Sequence, residues 1–447
     1  MILSALSMAF AINQSSLKNN IDALIKPETD SGTLVGIYIC RPSGEELYNH
    51  FSNLRMVPAS NQKILSSVFA FDKFGSDFRF ETKFWRDGDN VYIDAPGDMT
   101  ITPEQLETAK VALGVSGKGY VYVKQLYRFE AGPSWEKDDL TFRYAPQITA
   151  LCVNRAQFNV IGDKGIPLVP SWTGINIEHI LGIGPSESSF DLNNRRVTIR
   201  GQIDPKATTL GSFALPDPDR VAARFFGRTF IATKNMPHRP PDYIIQSPQF
   251  ASIAKMCLKP SDNLLAESFL LTASGASNYA DAEKTLVDHL TKAANLPAGS
   301  IRPEDGSGMS RHNLVTPFAL AQVLRHAYLQ PYRDDFINAL PSPGTGTLKS
   351  RMNGLNVIAK TGTLDSVSCL SGFVWLNNGE PVVFSIMMNH YVITAVQARK
   401  IQDTIVQSIQ DSLNGENNET ASVEWCDPLE KSFSISRDIR TDLHWLY

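Results

Sequence analysis

Ser60 and Lys63 are a pair of residues whose types and spacing could carry out covalent chemistry. In Pro58-Ala59-Ser60-Asn61-Gln62-Lys63-Ile64-Leu65, Pro58 fixes the entering backbone and Ser60 suits a helix cap or first turn. The apolar spacing of Ile64, Leu65, Val68 and Phe71 predicts a buried helix behind them. One helical turn would then place a hydroxyl and an amine on the same face, the geometry in which an amine can take the proton from a serine nucleophile. The same Ser-x-x-Lys spacing recurs at Ser15/Lys18, Ser134/Lys137 and Ser252/Lys255, so the pattern alone selects nothing. What sets the Ser60 copy apart is the pair of triplets that follow it, Ser261-Asp262-Asn263 and Lys360-Thr361-Gly362, each present once. Read singly, the first is a capping loop that starts a helix and the second a strand running into a turn.

These residues need elements to hold them. Residues 15–26 read as an amphipathic helix, with Leu17, Ile21, Leu24 and Ile25 on one side, and Leu34–Cys40 and Glu45–Phe51 as two strands. From about residue 80 the pattern turns β-rich. Asp87-Gly88-Asp89-Asn90 is a hairpin turn between two strands, 103–113 is a helix, and strands are expected at 119–126, 150–160, 195–203 and 230–232. A further helix is expected at 217–226, and Pro237–Asp242 reads as a linker. Helices return at 249–258, 264–272, 280–294 and 317–328, followed by strands at 357–363, 368–376 and 381–388 and a long helix at 394–413. The expected organisation is a catalytic domain from 12–80 and 246–414, an inserted module at 81–245 that could itself be two subdomains, and an extension at 415–447 with no assignable pattern. Residues 1–11 read as an export signal: an apolar run ending in Ala9-Phe10-Ala11, without the usual basic start.

Composition narrows the classes. With 447 residues, 43% of them hydrophobic, the chain can bury more than one core. A net charge of −4 gives no global basic field, so nucleic acid is not an expected partner and any contact with a polyanion would be local. The five cysteines and eight histidines show no metal-ligand spacing, so neither a metal nor another cofactor is expected. No run approaches the roughly 18 apolar residues of a membrane span.

With the three motifs in this order, the chain resembles the D-alanyl-D-alanine carboxypeptidase/endopeptidases of the penicillin-binding protein 4 type, the low-molecular-mass class C group, over roughly residues 30–412. The likeness extends to Gly132-Pro133-Ser134-Trp135, to Asp139 through Ala145-Pro146, and to Asp305-Gly306-Ser307-Gly308-Met309-Ser310-Arg311-His312-Asn313-Leu314. It implies an α/β (α+β) fold: a β-lactamase/transpeptidase-like domain with an antiparallel sheet flanked by helices, carrying a β-rich insertion. It further implies a periplasmic enzyme, peptidoglycan stem peptides as substrate and β-lactams as acylating inhibitors. Met99 departs from the proline that the group often has after Gly97-Asp98, the insertion is on the short side, and the tail has no counterpart.

On that resemblance Ser60 attacks the penultimate D-Ala carbonyl, Lys63 takes its proton, and Ser261 relays the proton to the leaving D-Ala. Asn263 would hold the substrate amide, and Lys360 with Thr361 and Thr363 its terminal carboxylate. The backbone N–H groups of Ser60 and Thr363 would form the oxyanion hole. Asp139, Tyr144 and Arg311 are candidates for the free end of the stem peptide's diamino acid. A free lysine titrates near 10.4, and bringing Lys63 to neutrality takes about 4 kcal/mol, which repulsion from Lys360 at about 4 Å could supply. Two rivals share the fold, a β-lactamase-like hydrolase and a catalytically silent wall-binding protein. A Ser-His-Asp hydrolase is disfavoured because no Gly-x-Ser-x-Gly elbow is present.

Overall fold

The chain opens on a long helix, α1 (Ile2–Asp30), which extends the expected 15–26 helix at both ends; Leu17, Ile21 and Ile25 are buried along one stripe, as a 3.6-residue period requires. The computed structural model describes residues 2–206 and 208–414, with side chains from residue 15 onward. The side chains of the segment read as an export signal, and the whole 415–447 extension, lie outside the described residues.

An antiparallel sheet follows, in the order Val357–Leu364, Val367–Trp375, Pro381–Asn389, Leu34–Cys40, Glu46–His50. Two strands from the start of the chain are thus completed by three from its end, with Leu34 opposite Asn389 and Cys40 opposite Val383. Pro381–Asn389 is buried at every position because helices cover both faces, and its sequence is correspondingly apolar almost throughout. One face packs under α1 and the final helix, through residues such as Ile37, Phe384, Ile386, Ile405 and Ile409.

The other face carries the helical layer. Its centre is α2 (Gln62–Phe74), buried continuously from Gln62 to Phe71. In chain order the remaining helices are α3 (Pro103–Leu113), α4 (Pro218–Arg224), α5 (Phe250–Leu258), α6 (Asn263–Ser274), α7 (Tyr279–Ala293), α8 (Pro317–Tyr328), α9 (Arg333–Ala339) and α10 (Ala395–Asn414). Asp72 near the end of α2 ties three neighbours together. It accepts from His289 Nε2 of α7 (2.8 Å), from His326 Nε2 of α8 (3.0 Å) and from the Tyr332 hydroxyl beside α9. Burial alone would raise the Asp72 pKa, but these three donors outweigh it and hold the carboxyl well below its usual range.

Residues Phe84 to Ile245 supply a second core. It lies under a five-stranded sheet ordered Thr229–Ala232, Tyr120–Gln125, Asn90–Ala95, Glu81–Asp87, Tyr243–Gln246, and the expected hairpin closes with Asp87 opposite Asn90. Two three-stranded sheets complete this part, one built from 157–168 and 211–214, the other from 176–202. Met99, Tyr127, Trp135, Ala145, Ile148 and Cys152 nevertheless belong to the core around α2 and α6.

Two expectations need correction, two elements escaped the sequence reading, and one alternative is decided. The strand expected at 150–160 is broken by a left-handed run at Asn154, Arg155 and Ala156, and pairing begins only at Gln157. Pro237–Asp242 is not a free linker: the Trp85 indole donates to the Arg239 carbonyl (2.8 Å), Arg239 pairs with Asp242, and Asp242 accepts from Arg86 N (2.8 Å). α9 and the strand Asn176–Pro185 escaped the periodicity reading, the first because it is only seven residues long, the second because its alternation dissolves in Gly182 and Gly184. Of the two places expected for Ser60, a helix cap or a first turn, it takes the turn. It sits in a 3-10 turn, Ala59–Asn61, that feeds the helix without a side-chain cap.

Candidate active site

The turn that carries Ser60 is held from two sides by glycines. A Cβ on Gly308 would stand 1.8 Å from the Ala59 carbonyl oxygen, and one on Gly362 would stand 3.0 Å from Ser60 N. Only residues without a side chain let the 305–310 loop and the strand Val357–Leu364 press against this backbone. Ala59 itself has φ 47°, a left-handed conformation that costs a non-glycine residue energy and is sustained by its surroundings.

One turn later the Lys63 amine, fully buried, donates to Ser60 Oγ at 3.0 Å, Asn263 Oδ1 at 2.6 Å and the Ser307 carbonyl at 2.7 Å. A neutral amine has two hydrogens and one lone pair. With its hydrogens on Asn263 and Ser307, the lone pair is left facing Ser60. Burial is the main cause that pushes the Lys63 pKa down, while Asp305 and Glu267 push it back up.

The second motif does two things at once. Asp262 is the N-cap of α6, accepting from Leu265 N (3.0 Å) and paired with Arg155 (3.2 Å), so the capping reading holds for that residue. Ser261, at φ 67°, and Asn263, first in the helix, face the site instead. Asn263 bridges, its oxygen on Lys63 and its Nδ2 donating to the Tyr144 carbonyl (2.7 Å).

The third motif lies on the edge strand of the main sheet. Lys360, also fully buried, donates to Ser261 Oγ (2.8 Å) and to the Thr361 carbonyl (2.9 Å). Burial first and Lys63 second push its pKa well below the ordinary lysine range. The repulsion expected to lower Lys63 is absent from the causes of its shift and acts only on Lys360, in second place; removal from water is the main cause that lowers both. Thr361 Oγ1 donates to Thr347 Oγ1 (2.7 Å), and Thr363 is exposed on the same strand.

Asp139, Tyr144 and Arg311 are all exposed or partly so. The Tyr144 hydroxyl donates to Asp139 Oδ1 (2.6 Å), while Arg311 Nη1 donates to the Asp365 carbonyl (3.0 Å). Only Tyr144 is joined to the amine cluster, through its backbone.

Sequence reasoning missed the support behind Lys63. Buried Glu267 of α6 accepts from Gly306 N and Ser307 N (both 2.8 Å) and from the Tyr279 hydroxyl (3.0 Å), holding the loop on the N-terminal side of the Ser307 carbonyl that meets Lys63. Asp305 accepts from Gly308 N (2.6 Å), Ser310 N (2.7 Å) and the Trp135 indole (3.0 Å). A lone Glu inside an apolar helix, Leu264-Leu265-Ala266-Glu267, was the available signal.

Two amine–serine pairs, Lys63 with Ser60 and Lys360 with Ser261, stand on a buried helix and a sheet edge, and the sequence that carries them matches a family model. Residues 17–412 match the model of the D-Ala-D-Ala carboxypeptidase 3 (S13) family. The chain belongs to that family. Curated relatives include a D-alanyl-D-alanine carboxypeptidase from an Actinomadura species, 26% identical over 90% of this chain and 86% of the relative. A penicillin-sensitive carboxypeptidase A from Dictyostelium discoideum is 27% identical over 81% of this chain and 83% of the relative. Among solved structures, penicillin binding protein 4 from Haemophilus influenzae superposes with a TM-score of 0.71 at 22% identity, covering 88% of this chain and 99% of that one. The expected α/β class, with its antiparallel sheet between helical layers, agrees with that fold. Among the described residues, no helix is long and apolar enough to cross a membrane.

Proposed function

We propose that this chain is a serine-type D-Ala-D-Ala carboxypeptidase of the periplasm, acting on peptidoglycan stem peptides and acylated by β-lactams. The observation that carries the reading is that each of two buried amines touches a different serine, Lys63 at Ser60 and Lys360 at Ser261. Ser60 Oγ attacks the penultimate D-Ala carbonyl as its proton passes to Lys63, and the acyl-serine bond forms. The proton then reaches the departing D-Ala amine by way of Ser261 as the peptide bond breaks. Water hydrolyses the acyl-enzyme in a second step.

Among the described residues, the Lys360 amine bonds only Ser261 and Thr361, which leaves a third N–H for the substrate when it is protonated. With Thr361 and Thr363 it receives the substrate's terminal carboxylate, whose charge favours the protonated amine that burial alone disfavours. The backbone N–H groups of Ser60 and Thr363 form the oxyanion hole, a role supported by the close approach at Gly362. Asn263 orients the substrate amide. Asp139 and Tyr144, and on a separate side Arg311, line the approach for the distal end of the stem peptide. Residues 81–245 act as an inserted module that builds this wall, and its separate core supports that division.

The test is intact-mass spectrometry after treatment with penicillin. One stable adduct, mapped to the peptide that contains Ser60, is the expected result. Fast turnover without an adduct would favour the β-lactamase-like rival, and no reaction at all would favour the silent one.

Glu267→Gln probes the tuning of the base. Burial pushes the Glu267 carboxyl up to about 8, and where it is ionised its charge raises the Lys63 pKa, so its removal makes Lys63 lose its proton at lower pH. The acidic limb of the acylation-rate profile should move to lower pH. The plateau rate should fall by about tenfold to a hundredfold, because an amide nitrogen cannot accept from both Gly306 and Ser307 and the carbonyl on Lys63 is displaced. An unmoved acidic limb would count against Lys63 as the titrating base.

A further inference from the structure

Far along the inserted sheet, α4 and the edge strand Thr229–Ala232 enclose a cavity of about 300 Å³ walled by Arg220, Arg224, Arg228 and Phe230. Among the described residues, none of these three guanidiniums has a carboxylate or carbonyl within bonding distance. The nearby acids are committed elsewhere: Asp217 accepts from Arg128 (3.0 Å) and Arg195 (3.2 Å), and Asp219 from Arg128 (3.1 Å). Arg195 registers the excess of cations, its pKa pushed down by burial first and by Arg224 second.

The cavity wall is built rather than incidental. Arg220 lies over the Phe230 ring, 5.6 Å from its centroid, which holds the guanidinium in place. Gly227 is required where it stands, since a Cβ there would come within 2.4 Å of the Gly119 carbonyl, and Arg228 N donates to that same oxygen (3.1 Å). The loop between α4 and the strand is thereby pinned to Tyr120–Gln125. Three exposed arginines line this one concavity in a chain whose net charge is −4. A bound oxyanion would match the fork of each guanidinium.

We propose that this cavity is an oxyanion-binding site that takes a phosphate or carboxylate group borne by a cell-wall polymer. The polymer assignment rests on the proposed wall function, whereas anion binding does not. The site would hold the inserted module against the wall while the sheet edge at Lys360 handles the peptide end.

The test titrates the full chain with inorganic phosphate at constant ionic strength, against chloride, and follows the melting temperature. A saturable rise is expected with phosphate. The apparent Kd should weaken at least tenfold in the triple variant Arg220→Gln, Arg224→Gln, Arg228→Gln. Penicillin acylation of Ser60 should be unchanged in that variant. A parallel titration with succinate separates the sources: tighter binding of phosphate points to a phosphodiester polymer, tighter binding of succinate to carboxylate-bearing stems. If the triple variant melts early without ligand, Arg224→Gln alone should still weaken binding about threefold. An equal rise with chloride, or equal affinity in parent and variants, overturns the proposal. Because the readout is anion binding, it stands or falls separately from peptidase activity.

Discussion

Lys63→Ala should slow penicillin acylation by about a thousandfold or more, with the melting temperature little changed or raised. The kinetic loss follows from removing the only amine in contact with Ser60 Oγ among the described residues. Ser60 would have to lose its proton to water, at a site where the Asn263 and Ser307 acceptors have lost their donor. The stability result follows from the opposite ledger: a fully buried amine is costly to keep out of water, and its removal returns part of that cost. The double variant with Ser60→Ala should be no slower than Ser60→Ala alone, because hydroxyl and amine act as one unit. Stopped-flow acylation with a fluorescent penicillin, alongside thermal melts, gives both quantities. A loss below about tenfold would mean that another group takes the proton.

Gly308→Ala should be almost as damaging, by a different route. The added methyl would stand 1.8 Å from the Ala59 carbonyl, and the residue sits at φ +82°, so the new side chain meets both a collision and backbone strain. Either the 305–310 loop retreats or the Ser60 turn does. A retreat of the loop takes the Ser307 carbonyl off Lys63, and a retreat of the turn misplaces Ser60 itself. Acylation should fall by about a hundredfold or more, since misplacement by about 1 Å suffices for that. The melting temperature should fall as well. Gly275→Ala makes the control, because a Cβ there meets nothing within 4 Å, and its φ of 68° leaves only the conformational strain. Acylation in that control should stay near the parent's rate; if it fell equally, backbone strain rather than crowding at Ser60 would be the cause.

Much of this was legible in the residues. The Ser60-to-Lys63 spacing, the strand before Lys360 and the helix after Asp262 are local patterns, and local patterns survive translation into structure. The main sheet was legible as well, because Leu34–Cys40 and Pro381–Asn389 are apolar runs of strand length. What the sequence could not supply was anything set by close approach over long separations. Gly308 against Ala59 and Glu267 beneath Ser307 depend on which surfaces meet. The dominant cause of the lysine shifts was also hidden: a sequence shows that two amines are present, but not that both lie fully out of water. Asp139 and Arg311 looked alike as charged surface residues, and only geometry puts Asp139 on Tyr144 and Arg311 on a different loop.

Tyr127, Trp135, Ala145, Ile148 and Cys152 are packed into the same core as α2 and α6, and the Tyr144 carbonyl binds Asn263. A graft that exchanges this insertion for a relative's, cut at its two crossing points near 80 and 247, would therefore transplant part of the hydrophobic floor beneath the nucleophile. Chimeras of this family should keep their chemistry only when the segment from about 127 to 152 travels with the helices it touches. On the proposed reading, substrate choice and turnover in this chain would be inherited together.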